Sequence, residues 1–171
     1  MIKIIGAILI IFATTWTGFE AAKQLSERPR QLRVLKTALQ SLEAEIMYGH
    51  TPLHEASKRL AAQLPGPLNQ FFSRFAHKLT ESETIVRDAW EGSLKEVWGQ
   101  TAFKKNEFEI MKQFGETLGR HDRISQQKQI LLTLTHLERE ESEAREKQTR
   151  YEKMVKSIGF LAGLLLSILL M

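Results

Sequence analysis

Residues 25–46 read LSERPRQLRVLKTALQSLEAEI, and their spacing decides the fold. Leu25, Leu32, Leu39 and Ile46 recur every seven residues, with Leu35 and Leu42 at the intermediate position. On an α-helix these residues line one stripe, an a/d seam that needs a second helix against it. Pro29 interrupts the row and predicts a kink or a restart there. Gly49 reads as the stop, followed by Thr51 as N-cap and Pro52 at the first position of a second helix.

The natural partner lies at the other end of the chain. Asp122 is a candidate N-cap, and no Gly or Pro follows before Gly159. Ile130, Leu137, Ala144, Tyr151 and Ile158 form one heptad row; Leu134 and Val155 stand in its companion row, which Glu141 and Gln148 break. Four pairs at i,i+4 support this helix: Glu141–Arg145, Glu143–Lys147, Glu146–Arg150 and Glu152–Lys156. At 1.5 Å per residue it extends roughly 50 Å as a partly solvated stalk, antiparallel to the first helix.

Between them the period stays helical. Leu53, Ala56, Leu60 and Leu64 mark a second helix, ended by Pro65-Gly66-Pro67. Leu68, Phe71, Phe72, Phe75 and Leu79 give a third an aromatic face. A fourth runs from about Thr84 to Trp98. A fifth carries Phe108, Met111, Phe114 and Leu118 and stops at Gly119. Nothing alternates with period two for long, so no sheet is expected.

The two termini are apolar. Neither Ile4 to Phe19 nor Ser157 to Met171 holds an ionisable side chain. A spanning helix needs about 20 apolar residues, with about 17 as the lower limit, so each run must borrow neighbours. A retained N-terminal anchor fits better than a cleaved signal, because no small-x-small site follows and a second apolar helix closes the chain. Lys23, Arg28, Arg30, Arg33 and Lys36 follow the first run, and Arg145, Lys147, Arg150, Lys153 and Lys156 precede the second. This bias places the middle of the chain on the cytoplasmic side. The expected organisation is a transmembrane helix at 1–20, a cytoplasmic helical bundle with stalk helices at 21–156 and a transmembrane helix at 157–171.

Chemistry-bearing patterns are few. There is no cysteine, which excludes disulfides and thiol catalysis. A net charge of +4 suits a membrane face and does not demand nucleic acid. Basic patches with interleaved aromatics are absent. His50 and His54 have metal-ligand spacing, but Pro52 lies between them and no third ligand follows. His121-Asp122 reads as a helix cap. Gly115 and Gly119 read as close approach and helix stop, since a phosphate loop would need a following Lys-Ser/Thr or a preceding strand. Trp90 and Trp98 fit core or a partner surface, and Trp16 the headgroup region. No paired carboxylates or nucleophile elbow stand out, so no enzyme, cofactor or metal is expected. Gly159, Gly163 and Ser167 lie four apart in the last helix, and Thr14 and Gly18 make a weaker match in the first. Small residues at this spacing allow close packing of membrane helices.

Two blocks carry a family resemblance. Leu42-Glu43-Ala44-Glu45-Ile46-x-Tyr48-Gly49-x-Thr51-Pro52-Leu53-x-Glu55-Ala56 is similar to the first helical hairpin of the stage III sporulation protein AB family. Phe114-Gly115-x-x-Leu118-Gly119-x-x-Asp122, followed by Gln126-Gln127, resembles that family's second block. The likeness covers essentially the whole chain. It implies an all-α six-helix antiparallel bundle related to type II secretion F cytoplasmic domains, flanked by the two transmembrane helices. It further implies a platform in the mother-cell membrane around the forespore, within the channel complex on which late forespore gene expression depends. A secretion-type ATPase and other forespore-channel membrane proteins are the implied partners. This chain has one such bundle and two anchors, where secretion F proteins have two and three. The competing expectation is a small pore-forming or holin-like membrane oligomer, although these apolar runs hold only Thr and Ser as polar residues.

Overall fold

A computed structural model describes residues 25–49, 51–81, 85–118 and 123–170. Within the last stretch, side chains are described for residues 124–151, 153 and 154. The described residues form helices and no strand, as the period-3.6 patterning requires. Helix α1 spans residues 25–44 and continues as a π-helical turn, Glu45–Gly49. It is followed by α2 (Leu53–Gln63), α3 (Gly66–Lys78), α4 (Val86–Trp98), α5 (Lys105–Gly115) and α6 (Arg123–Leu170). From α2 onward each helix packs on the next in sequence.

The boundaries follow local chemistry, with three corrections to the sequence reading. The expected restart at Pro29 does not occur: α1 is helical on both sides of it. The ring removes the donor that would serve the Leu25 carbonyl, but Pro29 is buried and the seam residues beyond it hold the helix. Pro52 is the N-cap of α2 and not its first helical residue, its carbonyl accepting the Glu55 and Ala56 N–H groups. Helix α5 ends at Gly115, four residues before the expected stop, because Thr117 N–H tightens back onto the Phe114 carbonyl. The Pro65-Gly66-Pro67 turn does separate α2 from α3, with Gly66 at φ +61, where a Cβ would be strained.

The core is built around Trp90. Phe71, Phe75 and Phe114 lie with ring centroids 4.7, 4.9 and 5.1 Å from it, all edge-on. That geometry sets ring edges against the π-face and suits aromatic pairs. The indole Nε1–H donates to the Met111 carbonyl at 2.7 Å, so the one polar atom of the ring is satisfied. Leu32, Leu35, Leu39 and Leu42 are fully buried from α1, and Ile130 and Leu137 from α6, so the expected seam forms the second half of the core. Trp98 is half-buried against Phe103 and Phe108.

Candidate functional site

The part of the bundle that combines charge, burial and long-range connection is the meeting of α1, α5 and α6. Arg28 sits seven residues before Leu35 and fourteen before Leu42, on the same helical row. It therefore points into the seam, where it is 5 % exposed. Glu107, at 0 %, and Glu140, at 2 %, meet it there. Arg28 Nε donates to Glu107 Oε1 at 2.7 Å, and Nη2 reaches Glu107 Oε1 at 2.6 Å and Glu140 Oε2 at 2.9 Å. The other Glu107 oxygen accepts the Lys104 N–H at 2.8 Å, at the start of α5. One carboxylate thus caps a helix and holds the cation of another.

A second cluster lies beside it. Glu141 is buried, with Lys36 Nζ 2.8 Å, Arg145 Nη2 2.9 Å and Arg33 Nε 3.3 Å away. Lys36 also pairs with Glu138. Burial alone would push the Glu141 carboxyl up. The Lys36, Arg33 and Arg145 cations outweigh burial and hold it below the ordinary glutamate range. Further along, Gln127 Nε2 donates to Glu43 Oε1 at 3.2 Å. Residue numbers rise on α1 as they fall on α6, so the helices are antiparallel. Beyond Ala144 the described side chains of α6, which reach Met154, are exposed except at half-buried Gln148 and Tyr151.

This arrangement is mechanical. One guanidinium and two carboxylates, all desolvated, fasten three helices at one point, and removing one partner would strand the others. Sequence reasoning read Arg28 as a juxtamembrane charge and Glu141 as a break in the row, and did not single out Glu107 or Glu140. The signal available was the seven-residue offset of Arg28 from Leu35. Glu107 had none, because its partner is 79 residues away. Of the three expected i,i+4 pairs within the described side chains, Glu141–Arg145, Glu143–Lys147 and Glu146–Arg150 all form.

The small-residue positions are not brought together by any described contact. Gly159, Gly163 and Ser167 lie in α6, whose side chains there are outside the described set, and Thr14 and Gly18 lie outside the described residues altogether. The same holds for Glu152–Lys156, Trp16, His50, Gly119, His121 and Asp122. Among the described residues no helix is long and apolar enough to cross a membrane; the expected span at 1–20 lies outside them, as do the side chains of 157–171. His54 is exposed, and no group of three His, Asp or Glu among the described residues could hold a metal.

Comparison with known proteins covers the whole chain. Residues 3–171 match the family described as stage III sporulation protein AB. The chain is 60 % identical over 171 residues, 100 % of both sequences, to stage III sporulation protein AB of Bacillus subtilis (strain 168). A solved structure of stage III sporulation protein AB matches with a TM-score of 0.70 at 58 % identity, over 72 % of this chain and 98 % of that one.

Proposed function

Because the chain belongs to the stage III sporulation protein AB family, we propose that it is a non-catalytic platform in the channel complex between mother cell and forespore. In this reading residues 1–20 and 157–171 are membrane anchors, and the bundle between them is a cytoplasmic domain of type II secretion F character. It couples a secretion-type ATPase to the membrane assembly on which late forespore gene expression depends.

The observation that carries the reading is α6 itself. It is helical without interruption from Arg123 to Leu170, about 70 Å at 1.5 Å per residue. Its first half is fastened into the bundle through Glu140 and Glu141, and the same helix continues unbroken into the apolar end of the chain. A continuous helix transmits displacement, and a Gly/Ser coil does not.

Replacing residues 145–156 by a Gly/Ser segment of equal length tests this in sporulating cells. The expected result is normal membrane fractionation with loss of late forespore gene expression. Full expression in that variant overturns the coupling role. Crosslinking of the full-length protein during engulfment should recover a secretion-type ATPase with other membrane proteins of the complex. Recovery of the chain alone in large oligomers, with conductance in liposomes, would replace the platform by a pore.

A further inference from the structure

Apolar packing by itself allows α6 more than one alignment on the bundle. Its buried row, Ile130, Leu137 and Ala144, repeats every seven residues and continues to Tyr151. The α1 rows repeat at the same interval. Sliding α6 by one heptad, about 10 Å, would again set the Ile130 row against the apolar α1 rows, while the companion row, where Glu141 and Gln148 follow Leu134, does not repeat. Ala144 and Tyr151 change the bulk of a layer, and only the Tyr151 hydroxyl adds a polar atom.

The charges do not repeat. In the observed register Arg28 meets Glu140, and Lys36 meets Glu138 and Glu141. A slide of seven residues one way sets Arg28 against Lys147, and Lys36 against Arg145 and Gln148. The opposite slide sets Arg28 against Thr133, and Lys36 against Leu131 and Leu134. The first opposes like charges, and the second leaves Arg28 with Glu107 alone and sets the Lys36 ammonium against leucines. Glu107 binds the same guanidinium from α5, and is itself held at the Lys104 N–H, so the reference point belongs to the body of the domain.

We infer that Arg28, Glu107 and Glu140 form a register lock: positioning residues that select one alignment of α6 among apolar equivalents. A polar residue in an apolar helix seam is known to specify register at a cost in stability. The lock fixes how far α6 projects from the bundle, whatever that helix is attached to. The inference goes beyond the platform reading and does not depend on it.

The chain has no cysteine, so engineered disulfides report alignment directly. In the full-length protein, the pair Glu43→Cys with Gln127→Cys reads the observed register. Glu43→Cys with Leu134→Cys reads the slide that brings Lys147 to Arg28. With the lock intact the first pair should oxidise and the second should not. In the Arg28→Met/Glu107→Leu/Glu140→Leu background, helix content should be kept and the melting temperature should fall only by the loss of the Lys104 N–H cap. The yield of the second disulfide should rise at least tenfold as the first falls. A purely stabilising triad would instead leave a single register, whatever the melting temperature. The intact-lock pattern in a folded triple variant overturns the inference. If the triple variant does not fold, Glu140→Gln replaces it. That variant removes one charge and keeps the shape. A threefold or greater rise in the second disulfide then supports the lock, and an unchanged yield overturns it.

Discussion

The indole of Trp90 lies directly on the backbone of Gly115: a Cβ built on that glycine would stand 2.9 Å from Nε1 and closer still to Cδ1. The neighbour is a fully buried ring wedged among four phenylalanines, so it has no room to give way. Gly115→Ala should destabilise the domain by about 1–3 kcal/mol, the usual range for overpacking. Urea unfolding of the purified protein checks this; an unchanged midpoint would mean that the α4–α5 contact can open without penalty.

Trp90 itself separates packing from hydrogen bonding. Trp90→Phe removes part of the ring and the Nε1–H donated to the Met111 carbonyl. Trp90→Ala empties the centre of the aromatic cluster and should cost about 3–5 kcal/mol. The phenylalanine variant should lie clearly between it and the parent in thermal melts.

Removal of Arg28 alone and removal of its whole cluster should differ in size. Arg28→Met leaves Glu107 and Glu140 desolvated without their cation and should cost about 3–5 kcal/mol. Adding Glu107→Leu and Glu140→Leu removes the stranded charges, and most of that loss should be recovered. Chemical denaturation of the single and triple variants decides it, and equal losses would show that the cluster contributes through shape.

Glu141 makes an acid-side prediction. Its folded pKa lies below the ordinary value of 4.5, so the folded state binds that proton more weakly than the unfolded state. The stability it contributes is fully present above about pH 4.5 and is lost as pH falls through the lowered folded value. Glu141→Gln should therefore be less stable than the parent at neutral pH. The difference should shrink below about pH 4.5, as measured by melting temperature across a pH series. A difference independent of pH would exclude the ion pairs as its cause.

Surface pairs provide the contrast. Glu143 is held low first by its hydrogen bond to Lys147, but both side chains are about half exposed. Solvent and salt screen such a pair. Glu143→Gln should leave the melting temperature unchanged within error at physiological salt. A marked drop would point to a role outside the Lys147 pair.

How much of this was legible beforehand differs between elements. Leu32, Leu35, Leu39 and Leu42 announced a buried stripe, and all four are buried, because heptad spacing and helix geometry leave them no other common face. The bulk around Gly115 was also readable, though the identity of its neighbour was not. Trp90 is 25 positions away in sequence, and only the packing of α4 on α5 joins them. Pro29 misled where it suggested a restart, since the burial of its neighbours carries the helix through it.

By itself the sequence determined what depends on neighbours within a turn or two. That covers the helices, most of their ends, the i,i+4 pairs along α6 and the apolar character of the termini. Tertiary structure decided which charges are buried and what they hold. Arg28, Glu107 and Glu140 lie on three separate helices; the offset from Leu35 puts Arg28 on the seam row, but nothing in the sequence joins it to either carboxylate. Local periodicity carries no information about partners 79 and 112 residues away. Desolvation, which turns those charges into a fastening, exists only once the helices have closed around them.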